Sequence, residues 1–300
     1  MRILTISAIA FLSSIASAQF SEGDGEGVST IKTFSRTWTP TFYSLASVET
    51  DKFNDSGGRL STYNYLSLHT FLSGGMRFSL RLPFTYGTAG TDRYNGEKNN
   101  PNELQMQDII LEVRNPEFAY LPWDLGLFWA FRGYTPNSKP SKRSGQVARF
   151  RNHFVVSKVF SRWFETDIEQ RYYYSWQSRA TYKNSFTDEY GFAVTDVASQ
   201  TKQHEIEHWL ALWGKVTPKV GFGLSAIFED TFYNKSTTEN KAKPPQRLLT
   251  VGPQARFPLN NKATFILVYG DKVNREENMD ELGKFLAKNT EFVLHSFISF

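Results

Sequence analysis

The sequence predicts an all-β chain, a transmembrane antiparallel β-barrel of about twelve strands with short turns at one end and long loops at the other. Three observations predict it. Apolar and polar residues alternate with a period of two in segment after segment. The connections between those segments are short and long by turns. The chain also carries an export leader and 16% aromatic residues, yet past residue 18 it has no run of about 18 apolar residues that could span a membrane as a helix.

The leader is MRILTISAIAFLSSIASA, residues 1–18. Arg2 supplies a positive start, a short apolar run follows, and Ala16-Ser17-Ala18 forms a small-x-small cleavage pattern. Cleavage after Ala18 is expected, then a short periplasmic segment over 19–31 and a barrel over 32–300. The chain has no Cys, so it offers no thiolate zinc site, disulfide framework or lipidated cysteine. Its formal net charge of +4 is small and dispersed, which argues against a nucleic-acid partner.

Twelve strands are expected near 32–48, 59–73, 76–87, 103–115, 122–134, 145–160, 163–181, 202–216, 219–233, 245–258, 262–272 and 289–300. In MRFSLRLPFTYG, Phe78, Leu80, Leu82 and Phe84 share one face, while Arg77, Ser79, Arg81 and Thr85 share the other. Segment 163–181 divides in the same way. Glu165, Asp167, Glu169 and Arg171 oppose Phe164, Ile168, Tyr172, Tyr174 and Trp176. Most segments exceed the roughly 9–11 residues a tilted strand needs to cross a bilayer. Lipid then assigns the faces, because an Arg or Lys facing the bilayer midplane costs about 2–4 kcal/mol. Apolar faces go outward and charged faces inward.

Short turns are expected at Ser73-Gly74-Gly75, Asn115 to Leu121, Ser161-Arg162, Thr217-Pro218 and Leu259 to Asn261. Long polar connections such as TAGTDRYNGEKNNPN and NKSTTENKAKPP lie between them. The loop at 182–201, with Tyr190, Phe192 and Val194, is a candidate constriction, and MDELGKFLAK at 279–288 has some helical character.

The chain ends in EFVLHSFISF, with Phe292, Leu294, Ile298 and Phe300 on one face. This resembles the terminal strand of Gram-negative outer-membrane β-barrel, porin-like proteins. The motif-level likeness covers only these residues and the leader, and no subfamily is assigned. The resemblance implies an outer-membrane location, periplasmic short turns and extracellular long loops. It also implies Phe300 and Ile298 as part of the signal read by the barrel-assembly machinery, with periplasmic chaperones as transient partners. Outer-membrane lipid and lipopolysaccharide would surround the wall.

The expected pore-lining set is Arg77, Arg81, Asp108, Glu112, Asp124, Arg132, Arg149, Arg151, His153, Asp167, Glu169, Arg171, Glu205, Glu207 and Glu229. Arg114, Glu165, Arg179, Arg256 and Glu291 accompany it. Folding about the turn at 161–162 places Glu169 near His153 and Arg151, and Arg171 near Arg151, so that basic and acidic groups alternate around the wall. Such a wall either sets up a transverse field for polar solutes or braces the barrel with internal salt bridges. A polar interior in twelve strands also leads one to expect some water-filled space.

Enzymatic barrels leave other marks. Outer-membrane phospholipase A carries His-x-Ser and the omptin proteases carry Asp-x-His, and neither occurs here. The basic set is partly similar to the walls of acidic-oligosaccharide porins, but the acidic set departs from them, so their substrate is not carried over. Only QFSEGDGEGVST lies between the leader and the first strand, which argues against an autotransporter with a passenger. The expected function is passive passage of small polar or charged solutes, with no cofactor, metal or catalysis. The alternatives are a plugged structural or surface-interaction barrel and an outer-membrane lipase or protease.

One motif points elsewhere. HEIEH, residues 204–208, matches the zinc-protease pattern H-E-x-x-H. That pattern needs a helix, which brings i and i+4 to about 5–6 Å. On a strand the two imidazoles lie roughly 13 Å apart. The segment stands between a polar loop and Thr217-Pro218, so a strand is expected. His204 and His208 then face lipid, and Glu205 and Glu207 face inward near Arg171 and Arg179.

Overall fold

The computed structural model describes residues 38–49, 60–88, 104–187, 193–217, 220–236, 242–260, 262–276, 279, 282–283 and 290–300. The leader, the segment over 19–31, Tyr190, Phe192 and most of the expected helix at 279–288 lie outside them.

The strands are β1 (Thr39–Glu49), β2 (Leu60–Phe71), β3 (Arg77–Gly87), β4 (Leu104–Met106), β5 (Ile110–Leu121), β6 (Leu125–Tyr134), β7 (Gln146–Ser161) and β8 (Phe164–Gln177). They continue with β9 (Thr181–Thr187), β10 (Ala193–Gln200), β11 (Lys202–Thr217), β12 (Val220–Tyr233), β13 (Gln246–Asn260), β14 (Ala263–Asn274) and β15 (Thr290–Ser299). One short helix, α1 (Lys139–Ser144), precedes β7.

Every neighbouring pair in the wall is antiparallel, and β1 pairs both β2 and β15, which closes the sheet. β4 and β5 both pair β3 and together fill one wall position, so the barrel has twelve strands. Among the described residues β9 and β10 form a separate two-stranded sheet, a hairpin inserted between β8 and β11 in sequence.

Local chemistry explains the irregularities. Gly74 and Gly75 both take left-handed φ, at 69° and 75°, in the tight connection from β2 to β3. Residues 107–109 interrupt the expected fourth strand opposite Pro83. Proline has no N–H to offer the ladder, so it favours a bulge. The expected turn at 115–121 is instead strand. The ladder shifts between Asn115 and Ala119, around Pro116, and the chain turns at Pro122-Trp123-Asp124.

Alternation in sequence becomes alternation in burial. Along β8 the pattern is strictly alternate from Ile168 to Trp176, with Ile168, Tyr172, Tyr174 and Trp176 exposed and Glu169, Arg171 and Tyr173 buried. Leu66, Leu82, Leu210, Leu224 and Leu294 on other strands are exposed as well. In water this would be an inverted protein. Facing lipid tails, the leucines lose nothing, while the enclosed side satisfies the polar groups.

Leu210 stands near the middle of β11 on the outer face. Leu210→Arg is expected to cost about 2–4 kcal/mol, read from urea unfolding of the protein refolded into lipid vesicles.

Candidate channel interior

Arg81, Glu112, Arg132, Arg151, His153, Asp167, Glu169, Arg171, Glu205, Glu207 and Glu229 are all buried on the inner face. Arg77 and Arg149 share that face and are half-buried. Two members of the expected set stand elsewhere. Asp124 is exposed in the turn before β6, at φ 58°. Asp108 lies in the break between β4 and β5, where its carboxylate accepts from Ser138 N (2.8 Å), Ser141 Oγ (2.5 Å) and Gln146 Nε2 (3.0 Å). It anchors the α1 connection at the rim. The period-two count carried both onto strand faces because it could not see the turn or the bulge.

The charges do not alternate around the wall. They sort into two arcs. Arg77, Arg81, Arg114, Arg132, Arg149 and Arg151 stand on β3, β5, β6 and β7, with Glu112 among them. Glu165, Asp167, Glu169, Glu205, Glu207 and Glu229 stand on β8, β11 and β12, with Arg171 among them. The rest of the inner face is mostly uncharged, with Tyr43, Tyr63, Tyr65, Ile266 and Val293, but it also carries Arg256, Asp271 and Glu291.

Ion pairs cross the space between strands. Glu112 holds Arg81 at 2.5 Å and also pairs with Arg132. Arg171 pairs with Glu169 and, at 3.1 Å, with Glu207. Arg149 reaches past β8 to Glu205, which also accepts from Lys202 at 2.6 Å. The longest chord joins Arg256 on β13 to Glu165 on β8 at 2.5 Å, and Lys215 meets the other oxygen of Glu165 at 2.5 Å. His153 Nε2 lies 3.0 Å from Glu169 Oε2, as the hairpin about 161–162 leads one to expect. Arg171 lies opposite His153, while Arg151 lies opposite Tyr173. Glu207 meets Arg171 as expected, but Glu205 pairs with Arg149 and Lys202, not with Arg179.

Aromatic rings are the component that residue-by-residue charge reading missed. Arg81 lies over Tyr65 (4.9 Å), Arg149 over Tyr173 (4.5 Å), Arg171 over Trp209 (5.3 Å) and Arg256 over Trp213 (4.5 Å). Desolvated guanidinium–ring contacts of this kind contribute about 2 kcal/mol each. The signal was present in the sequence, since Tyr173, Trp209 and Trp213 fall on the same alternate positions as the carboxylates. Gly223 lies opposite Trp213, and a Cβ there would meet the Leu212 carbonyl oxygen first and then the indole at 3.0 Å, so the glycine makes room for both the neighbouring backbone and the ring.

These long side chains pack against one another inside the wall. Arg151, His153, Tyr43 and Trp213 are 0% exposed, so a water-sized sphere reaches none of them in this conformation.

Two enzymatic readings meet the geometry here. His69 Nδ1 lies 2.6 Å from Ser79 Oγ, so a Ser and a His from different strands do meet. Ser79 is 0% exposed, and no acyl group can approach it as it stands. His204 and His208 lie on β11, outside the inner face, and His204 Nδ1 lies 2.7 Å from Tyr172 Oη. Among the described residues no group of His, Cys, Asp and Glu is disposed to hold a metal ion.

No family model matches the sequence, and no curated protein matches it. Solved structures do. The chain is similar in fold to the COG4313 outer membrane channel from Pseudomonas putida F1, with a TM-score of 0.53, 10% identity, and coverage of 93% of this chain and 99% of that one. The NanC porin gives a TM-score of 0.44 at 11% identity, covering 87% of this chain and 98% of that one. The KdgM porin in complex with oligogalacturonate gives 0.43 at 7%, covering 87% and 99%. At these identities the first likeness shows the fold, that of an outer-membrane β-barrel.

Glu112→Gln is expected to destabilise the barrel by about 3–5 kcal/mol, because it strands buried guanidiniums. Arg247→Gln, which breaks a pair whose side chains are 48% and 49% exposed, is expected to cost under about 1 kcal/mol. Urea unfolding in vesicles reads both. Equilibrium dialysis is expected to find no zinc retained by His204 and His208, and stoichiometric zinc lost in His204→Ala would contradict the strand.

Proposed function

We propose that this chain is an outer-membrane channel for small polar or charged solutes, with the buried ion pairs serving as its gate. One observation carries the reading: the buried ion pairs are redundant. Glu112, Glu165 and Glu205 each hold two cations, and Arg171 holds two carboxylates. A chord can open while its carboxylate keeps a partner, so opening avoids the several-kcal/mol penalty of an isolated buried charge. A purely structural plug has no need of this. Apolar residues of the same volume are often as stabilising as a buried pair.

The leader would direct export and be removed after Ala18, and the terminal strand, with Ile298 and the exposed Phe300, would engage the assembly machinery. The leucine-rich outer face would meet lipid and lipopolysaccharide. The near-zero exposure of Arg151, His153 and Trp213 favours a second reading, a permanently plugged structural barrel.

Planar-bilayer recording separates the two. Discrete conductance steps are expected, with a higher open probability in Arg256→Ala, which removes the chord to Glu165. Silence from both the wild type and Arg256→Ala would leave the plugged barrel.

A further inference from the structure

Charge is unequally matched between the two arcs. In the acidic arc Glu165, Glu169, Glu205 and Glu207 each touch at least one cation. In the basic arc Arg77, Arg81, Arg114, Arg132 and Arg151 share a single buried carboxylate, Glu112, among the described residues. Glu112 bonds Arg81 and Arg132, and Arg114 Nε pairs with it more distantly, at 3.8 Å. Arg151, fully buried, meets the Tyr173 hydroxyl at 3.3 Å and His153 Nδ1 at 3.5 Å, and no carboxylate within ion-pair distance among the described residues. Arg77 lies over the Phe71 ring at 4.8 Å. The Nε atoms of Arg77, Arg81, Arg114 and Arg151 are buried without a hydrogen-bond partner among the described residues.

Arg77 and Arg114 are also direct cross-strand partners in the β3–β5 ladder. Like charges placed directly opposite have Cβ atoms about 4.5–5.5 Å apart and repel. They stand at the short-turn end of the inner face, next to the chain of Ser79, His69 and Thr41, with His69 Nε2 2.7 Å from Thr41 Oγ1. Among the described residues this arc holds more buried arginines than buried carboxylates, and the carboxylate that acts on Arg77 is the exposed Glu117.

We propose that the basic arc is a binding site for a small oxyanion, phosphate or sulfate in type, entered from the short-turn mouth and seated first between Arg77 and Arg114. Planar guanidiniums fit tetrahedral oxyanions through paired N–H groups. A doubly charged anion turns the Arg77–Arg114 repulsion into two attractions and satisfies the idle Nε donors. The inference deepens the channel reading by naming a solute class, and it rests on that reading only for the anion's onward passage.

The full chain refolded in detergent micelles is titrated with sodium sulfate and with sodium phosphate by calorimetry, at an ionic strength fixed with chloride. Saturable binding at one site is expected. Arg77→Gln combined with Arg114→Gln is expected to weaken it at least about tenfold, the loss of one charge-assisted contact or more. Arg247→Gln is expected to leave it unchanged. Heat-modifiable mobility on gels reports folding. Should the Gln pair not fold, Arg77→Lys with Arg114→Lys keeps the charge but loses the paired donors, and affinity is expected to fall severalfold. No saturable binding in the wild type, or equal affinity in the paired variant that folds, overturns the proposal. Binding is read without conduction, so conductance steps without sulfate binding sink this site alone, and binding without steps sinks the channel alone.

Discussion

In lipid a backbone N–H or C=O without an internal partner costs several kcal/mol, and no water is at hand to relieve it. The rest of this structure depends on that constraint. It requires the sheet to close, which β1 does by pairing β2 on one side and β15 on the other. Closure separates an outer face that sees lipid from an inner face that does not. The exposed leucines and the buried arginines are consequences of that separation. The same constraint fits the breaks in the wall's ladder that stand beside prolines, which remove a donor, at Pro83, Pro116 and Pro258.

Closure creates a second problem inside. Charged side chains sent away from lipid must be satisfied by one another. Here they are satisfied by carboxylates that hold two cations and by aromatic rings beneath the guanidiniums. Arg256, which reaches Glu165 and lies over Trp213, shows both devices in one residue. The result is an interior in which several buried charges each have two partners. The residual imbalance sits in the arc of β3 to β7, where one carboxylate serves several arginines.

Much of the wall is legible in the sequence, because strand facing depends on a period of two that the residues display directly. Glu165, Glu169 and Arg171 face inward and Ile168 and Trp176 outward, as the alternation requires. HEIEH resolves as strand for the same reason, since its flanks carry that period. The candidate interior is less legible. Asp108 and Asp124 fall on alternate positions, yet one lies in a bulge and the other in a turn, and both depend on which residue stands across the ladder. The hairpin of β9 and β10 is hidden in a loop without clear alternation.

The sequence by itself determined the class of fold, the antiparallel succession of most wall strands and, where alternation is clear as in β8, which residues share a face. These follow from local periodicity and from the connections between neighbours. Tertiary structure alone decided which charges meet. Arg149 and Glu205 are separated by a strand, and Arg256 and Glu165 by two. Their encounter depends on barrel curvature and side-chain reach, which no local pattern encodes. How closely the inward side chains pack against one another was also decided there. Strand number sets the width of the barrel, but the volume of the arginine, tyrosine and tryptophan side chains pointing into it sets what space remains.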